Sequence, residues 1–287
     1  TRVTASPSYT GTVKPTDSIV YVNGDGGARK NQWIWAVPTE QYDEDDYNDD
    51  AASWWWADNS GKVVMDTIKK IKGKTYAFDR IGRMVSGLQR SDDGRKGFSA
   101  ASRVVGKAKT LQGLSGEDYV TMVTLGTNEN IYFFSDDYEK DGSRKTGYQK
   151  VAFDDDTYQM YFNNNGTAAN GYVAKIKKYC NKGMILAADN DTSNYGYIAV
   201  NSANIKELAL PSTVVMYSSA AMDAVGDNVL VNSAGTVQKG KFNLKDSNDM
   251  YFVTDKEGKV IYNDYKKLYT SSSTEHSHAV TVGGKPY

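Results

Sequence analysis

From Ile19 to Asn263 short apolar and aromatic runs alternate with short polar clusters that close on glycine. Runs of this kind, punctuated by Asn, Asp and Gly, predict strands and turns rather than helices. Lys74 to Gly87, KTYAFDRIGRMVSG, shows the unit: Phe78 stands four residues before Gly82, and Gly82 five before Gly87. The same frame recurs as Phe162, Gly166 and Gly171, and as Val231, Gly235 and Gly240. With Asn or Asp in place of the second glycine it also fits Val22–Gly26–Asn31, Ala57–Gly61–Asp66 and Thr254–Gly258–Asn263. Phe134, Gly142 and Gly147 form a seventh copy with a longer turn.

The residue after the first frame position is Asn23, Asp58, Asp79, Ser135, Asn163, Asn232 or Asp255. A short polar side chain there bonds the backbone two residues on and starts a turn. The glycine that follows supplies the positive φ of a tight hairpin. Two residues after it the chain is usually apolar again: Val63, Met84, Ala168, Val237 and Val260. A strand therefore enters, turns at Asx-x-x-Gly and returns. Successive first glycines fall at 26, 61, 82, 142, 166, 235 and 258. Close neighbours are 21, 24 and 23 apart, and the gaps of 60 and 69 are near three such periods. This spacing predicts further, degenerate hairpins in 88–130 and 172–225, with DYVTMVTL and YGYIAV as strands. A hairpin of ~20 residues cannot bury its own apolar face, so the copies must stack.

The predicted fold is all-β, a solenoid of stacked β-hairpin repeats of about 20 residues, in one array or interrupted into two. The boundaries are a flexible leader at 1–17, repeats over 18–265 and a tail at 266–287. Clear copies lie near 19–31, 54–66, 75–88, 131–148, 159–172, 228–240 and 251–263. Composition agrees: among 287 residues there are 21 Tyr, 5 Trp and 26 Gly. The 34 basic and 35 acidic side chains nearly cancel, which gives no field for nucleic acid or an anionic membrane. One cysteine, Cys180, excludes an internal disulfide. No apolar run approaches the ~18 residues of a membrane span.

The stretches WWWADNSGKVV, KTYAFDRIGRMVSG and YQMYFNNNGTAANGY resemble the cell-wall-binding, or choline-binding, repeats of Gram-positive bacteria, which are similar to glucan-binding repeats. The resemblance covers Trp54–Leu88 best and Asn130–Tyr172 next. It implies a hairpin solenoid on a secreted, cell-surface protein that binds cell-wall polysaccharide, teichoic acid or glucan. It also implies aromatic cages in which two successive hairpins hold a quaternary ammonium by cation–π attraction. Where the family pattern has Trp after the second glycine, this chain has Leu88, Tyr148, Tyr172 or Lys241. A cage is therefore expected at most near Trp54–Trp56 with Tyr76.

The candidate ligand-binding rings are Trp54, Trp55, Trp56, Tyr76, Phe78, Tyr132, Tyr148, Tyr161 and Tyr172. On a strand Trp54 and Trp56 share one face and Trp55 takes the other. Trp33 and Trp35 alternate within QWIWAV and read as core. The acidic run YDEDDYNDD at 42–50 lacks calcium-loop spacing and reads as a solvated loop. DNDTSN at 189–194 has neither the glycine nor the glutamate of such a loop, and His276 and His278 lack a third ligand. ALPST at 209–213 reads as a loop. Cys180 has no neighbouring histidine in KKYCNKG, and no phosphate loop or Gly-x-Ser-x-Gly occurs. The reading that follows is a non-catalytic surface module without cofactor or metal; the alternative is a structural or adhesive repeat protein that contacts a protein partner.

Overall fold

The computed structural model describes residues 2–4, 19–40, 43–91, 98, 116–123, 125, 127–137, 141–154, 156–188, 195–199, 216–218, 228–245, 249, 251–264, 267, 281–282 and 285–286. The chain forms two compact units, one of residues 1–158 and 162–168, the other of 159–161 and 169–287. Both are built from antiparallel strands.

All seven copies of the frame are hairpins, and they close at one register. The first frame position pairs with the residue two after the glycine: Val22 with Ala28, Ala57 with Val63, Phe78 with Met84, Phe134 with Arg144, Phe162 with Ala168 and Val231 with Val237. Thr254 pairs with Val260 in the same way. The turn chemistry follows the sequence expectation at four copies. Asp79 Oδ1 accepts from the amides of Ile81 (3.1 Å) and Arg83 (2.9 Å). Asp58, Asn232 and Asp255 accept at the same two offsets. In two other copies the role moves two residues on, to Asp25 and Asn165, whose carboxylate and amide oxygens accept from Gly27 and Thr167. The second glycine position also has a physical reason: Gly87 (φ 72°), Asn31 (50°) and Asp66 (45°) all lie in the left-handed region. Asn and Asp are the residues that tolerate it best after glycine.

Between these tight hairpins run linking hairpins. Gln32–Ala36 pairs with Ser53–Ala57, Thr67–Ile71 with Lys74–Phe78, and Gly87–Ser91 with Asn130–Phe134. The middle one closes in two residues, Lys72 and Gly73, both at positive φ (46° and 89°), as a tight hairpin requires. The other two carry excursions, 37–52 and 92–129. The extra hairpins expected in 88–130 fall largely outside the described residues; the strands on either side of that connection, Gly87–Ser91 and Asn130–Phe134, pair with each other. A longer loop adds little closure entropy, about 0.6 kcal/mol per doubling, so the stacking tolerates it. The expected strand DYVTMVTL is instead part of helix Gly116–Met122. Tyr119 and Val123 are buried, and their spacing of four residues puts them on one helical face. In 172–225 a linking hairpin does occur, with Gly171–Val173 paired to Lys178–Asn181. YGYIAV forms a strand as expected, Tyr195–Ala199. Within the expected leader, Arg2–Thr4 pairs with Ile19–Tyr21; within the expected tail, Thr281–Val282 pairs with Lys285–Pro286. Residues 189–194, 209–213, His276 and His278 lie outside the described residues.

Successive hairpins join through a repeated backbone bond. In the first unit the amide two after each turn glycine donates to a carbonyl three before the first frame position of the preceding copy. The pairs are Val63 to Ile19 (2.9 Å), Met84 to Trp54 (2.8 Å), Arg144 to Thr75 (2.7 Å) and Ala168 to Ile131 (2.8 Å). The turn glycine sits over the preceding return strand. A Cβ on Gly82 would lie 2.6 Å from Val63 Cγ1 and 3.1 Å from the Val64 carbonyl oxygen. Gly61 meets Ala28 in the same way, Gly142 meets Met84, and, in the second unit, Gly258 meets Val237. The first frame positions from Ala57 to Thr254 are all buried, and with the residues before them they make the core.

The acidic run is not simply a solvated loop. Asp43 caps a one-turn helix, Glu44–Asn48, by accepting from the Asp46 amide (2.9 Å). Asp43 and Asp46 then accept from Arg83 Nη1 at 2.6 and 2.5 Å, while Arg83 Nε donates to Asp79 at 2.8 Å. Arg83 is buried. Burial alone would favour loss of its proton, but Asp79, Asp43 and Asp46 outweigh that and raise its pKa. The cluster ties the excursion 37–52 to a turn.

Two predictions follow from this packing. Gly82→Ala combines a left-handed backbone with a collision at Val63 and costs about 2–4 kcal/mol. Gly26→Ala, with φ +83° and nothing within 4 Å of the added methyl, costs about 1 kcal/mol. Urea unfolding midpoints of the two variants measure the difference; equal shifts would sink the stacking account. Arg83→Ala leaves three neighbouring carboxylates without a counter-ion and costs about 3–5 kcal/mol, read as a fall in thermal midpoint.

Candidate functional site

The aromatic residues concentrate on the first linking hairpin. Its register sets Trp33 opposite Trp56, Ile34 opposite Trp55 and Trp35 opposite Trp54. The alternation of a strand then puts four indoles on one face and Trp55 with Ile34 on the other. Trp55 is 1 % exposed, packs against Tyr21 at 5.8 Å and donates from Nε1 to the Ala36 carbonyl (2.9 Å). It is core. So are Trp56, Phe78, Tyr132 and Tyr161, all buried. These five of the nine candidate rings are buried. The reason is the stacking: the ring before one turn is covered by the next hairpin, as Phe133 is by Phe162 at 5.9 Å.

The place expected for a cage, Trp54–Trp56 with Tyr76, is filled from within the chain. The Trp33 ring lies 6.3 Å from Trp54, 5.2 Å from Trp56, 4.8 Å from Tyr76 and 5.9 Å from Phe78. Cation–π attraction operates within about 6 Å of a ring centroid. Trp33 therefore packs within the set of rings that was expected to line a cage. Tyr76 is half-buried, and burial raises its phenol pKa. A second ring, Tyr172, packs against Tyr179 at 5.1 Å and has the Lys239 ammonium 5.5 Å from its centroid. The chain's own cation faces that ring.

The open rings lie elsewhere. Trp35 is 46 % exposed and lies 5.0 Å from the half-buried Trp54, tilted by 54°. Tyr148, on strand Gly147–Ala152, is 49 % exposed. Trp35 was expected in the core by its alternation with Ile34, yet Ile34 alone of the pair is buried. The signal available in sequence was the long excursion 37–52 that begins just after it: a strand that runs into an insertion has one end without a tight turn to cover it. Tyr148 is the ring of the candidate set that emerges as an exposed one.

The remaining chemistry is sparse. Cys180 is buried, and burial pushes its thiol up to about 12 despite Lys178 nearby, which leaves no thiolate at neutral pH. No group of three or more metal-ligating side chains occurs among the described residues. No helix among them is long and apolar enough to cross a membrane.

No family model matches the chain, and no curated protein does. Among solved structures it is similar to CbpF in complex with ipratropium, at 16 % identity and a TM-score of 0.46 over 88 % of this chain. Choline binding protein F from Streptococcus pneumoniae with a peptidoglycan analogue gives 16 % and 0.45, over 88 % of this chain and 58 % of that one. The choline-binding domain of CbpL from Streptococcus pneumoniae gives 12 % and 0.36, over 92 % of this chain and 100 % of that one. The chain spans about 60 % of the length of CbpF.

If Trp33 occupies the cage, its removal opens one. Trp33→Ala gains binding of tetramethylammonium at millimolar concentrations, read by titration calorimetry, while the unaltered chain shows none. Equal heats from both proteins would remove the self-filled cage from consideration.

Proposed function

We propose that this chain is a non-catalytic module of the bacterial cell surface that holds cell-wall or related polysaccharide. The contact is an open aromatic face rather than a deep ammonium cage. The observation that carries this reading is the Trp35–Trp54 pair, with one indole 46 % exposed at 5.0 Å from its neighbour. An exposed indole is a large, rigid, apolar plane with a polar edge. The apolar face of a sugar ring covers such a plane and lets its hydroxyls stay in water. Tyr148 offers a second open ring in the same unit. Single contacts of this kind are weak, and polymeric ligands engage several at once, so affinity comes from avidity. The neighbours named above were solved with ipratropium and with a peptidoglycan analogue; a wall polymer is the ligand class in keeping with the open rings here.

A structural or adhesive role is the second reading. It is favoured by the five buried rings and by Trp33, since rings that pack hairpins are spent on stability. The two readings part at Trp35. On purified Gram-positive cell walls and on soluble glucan, the full chain is retained and choline does not elute it. Trp35→Ala lowers retention at least about tenfold, corresponding to about 1.4 kcal/mol, with an unchanged thermal midpoint. Retention that survives Trp35→Ala, or no retention of the unaltered chain, leaves the structural reading in its place.

A further inference from the structure

A cleft of about 410 Å³ opens in the first unit between the Asp58–Gly61 turn and strand Thr67–Ile71, with Trp56 in its wall. Three lysines, Lys69, Lys70 and Lys72, are among the residues that line it, against one carboxylate residue, Asp58. That carboxylate is already engaged. Its Oδ1 accepts from the Ser60 amide (2.8 Å), the Ser60 hydroxyl (2.7 Å) and the Lys62 amide (2.9 Å). Burial pushes the Asp58 pKa up, but those bonds and the nearby Lys69 outweigh it and hold the group ionised. Asp58 thus offsets one lysine and leaves two.

Lys70 and Lys72 are both exposed and form no ion pair among the described residues. Their placement is fixed by the hairpin. Lys72 occupies a left-handed turn position (φ 46°), ahead of Gly73, where Asn is the residue that costs least. Its ammonium lies 6.0 Å from the Trp56 ring centroid, at the limit of cation–π range, which draws it toward the cleft wall. Asn31 and Asn59 add side-chain amides that have no partner among the described residues. The cleft therefore combines surplus positive charge with neutral donors and acceptors.

We propose that this cleft binds an anionic, hydroxyl-rich unit: a sugar or polyol that carries a phosphate or a carboxylate. Lys70 and Lys72 meet the charge, and the two asparagine amides meet hydroxyls. The site is opposite in sign to an ammonium cage, and Trp35 is not part of its lining. It goes beyond the polysaccharide reading and does not require it. A polymer with charged and neutral rings along its length would use both.

The test is calorimetric titration of the full chain at low salt with three probes: glycerol 3-phosphate, glucuronate and methyl glucoside. At least one anion binds, at least about tenfold tighter than methyl glucoside, and its affinity falls as salt screens the exposed lysines. The double variant Lys70→Glu with Lys72→Glu weakens that binding at least about tenfold and keeps the thermal midpoint. Binding of the phosphate probe alone identifies a phosphate-bearing polyol as the source, and binding of glucuronate alone a uronic acid. Failure of both anions to bind, or binding that the double variant leaves unchanged, overturns the proposal. Trp35→Ala retains anion binding in full, so the two sites fail or stand independently.

Discussion

The approach of a turn glycine to the return strand of the preceding hairpin, made by Gly61, Gly82, Gly142 and Gly258, is the contact on which the rest depends. At Gly82 a single methyl would meet Val63 Cγ1 at 2.6 Å. The same close approach permits the Met84 amide to reach the Trp54 carbonyl at 2.8 Å. One small residue therefore does two things: it turns the chain and it lets the next hairpin dock. An isolated hairpin is marginal in water. Docked at this distance, its first frame position is closed off from solvent, as Phe78, Phe134 and Phe162 are at 0 % exposure. The stability of a copy is thus a property of the contact between copies.

That geometry also decides the fate of the aromatic residues. Rings next to the turn are covered by the following copy, whatever ligand they might otherwise serve. Trp33 goes further, since its indole fills the space among Trp54, Trp56, Tyr76 and Phe78. Each such aromatic pair adds about 0.5–1.5 kcal/mol beyond burial. A ligand that entered this space would have to expel a side chain that holds two hairpins together. Lys239 over Tyr172 has a similar effect, because a chain cation already faces the ring. Chain groups at both positions meet the rings, so on the proposed reading recognition falls to rings that stacking leaves uncovered.

The tight hairpins were legible in sequence because their causes are local. Asx at one position and Gly three later fix a turn through bonds within five residues, as Asp79 shows with Ile81 and Arg83. The tolerance for Asn31 and Asp66 at the second position follows from backbone sterics alone. What lay beyond reach depends on partners distant in the chain. The gap between Gly82 and Gly142 gave no sign that Gly87 pairs with Phe134, a partner 47 residues on. Helix Gly116–Met122 alternates well enough to pass for a strand until Tyr119 and Val123 are seen to be buried together. Asp43 and Asp46 read as solvated because Arg83 is 40 and 37 residues away. Among the candidate rings, sequence singled out Trp54–Trp56 but not their pairing with Trp33 and Trp35, nor which face of that hairpin stays open. The lysine cleft had no motif, since Asn31, Asp58 and Lys72 come together only through pairing.

The division between the two hairpin types explains where function can reside. A tight hairpin is constrained at its turn and on both strands, and its loop length is held because the glycine must dock. Even the longer turn at Gly142 still brings Arg144 opposite Phe134 and its amide to Thr75. A linking hairpin is constrained only in its strands. Its loop varies from Lys72–Gly73 to the excursions 37–52 and 92–129 without a change in the stacking register. Trp35, Tyr148 and Lys70–Lys72 all stand on linking hairpins. Substitution there alters what the surface offers and leaves the glycine contacts untouched.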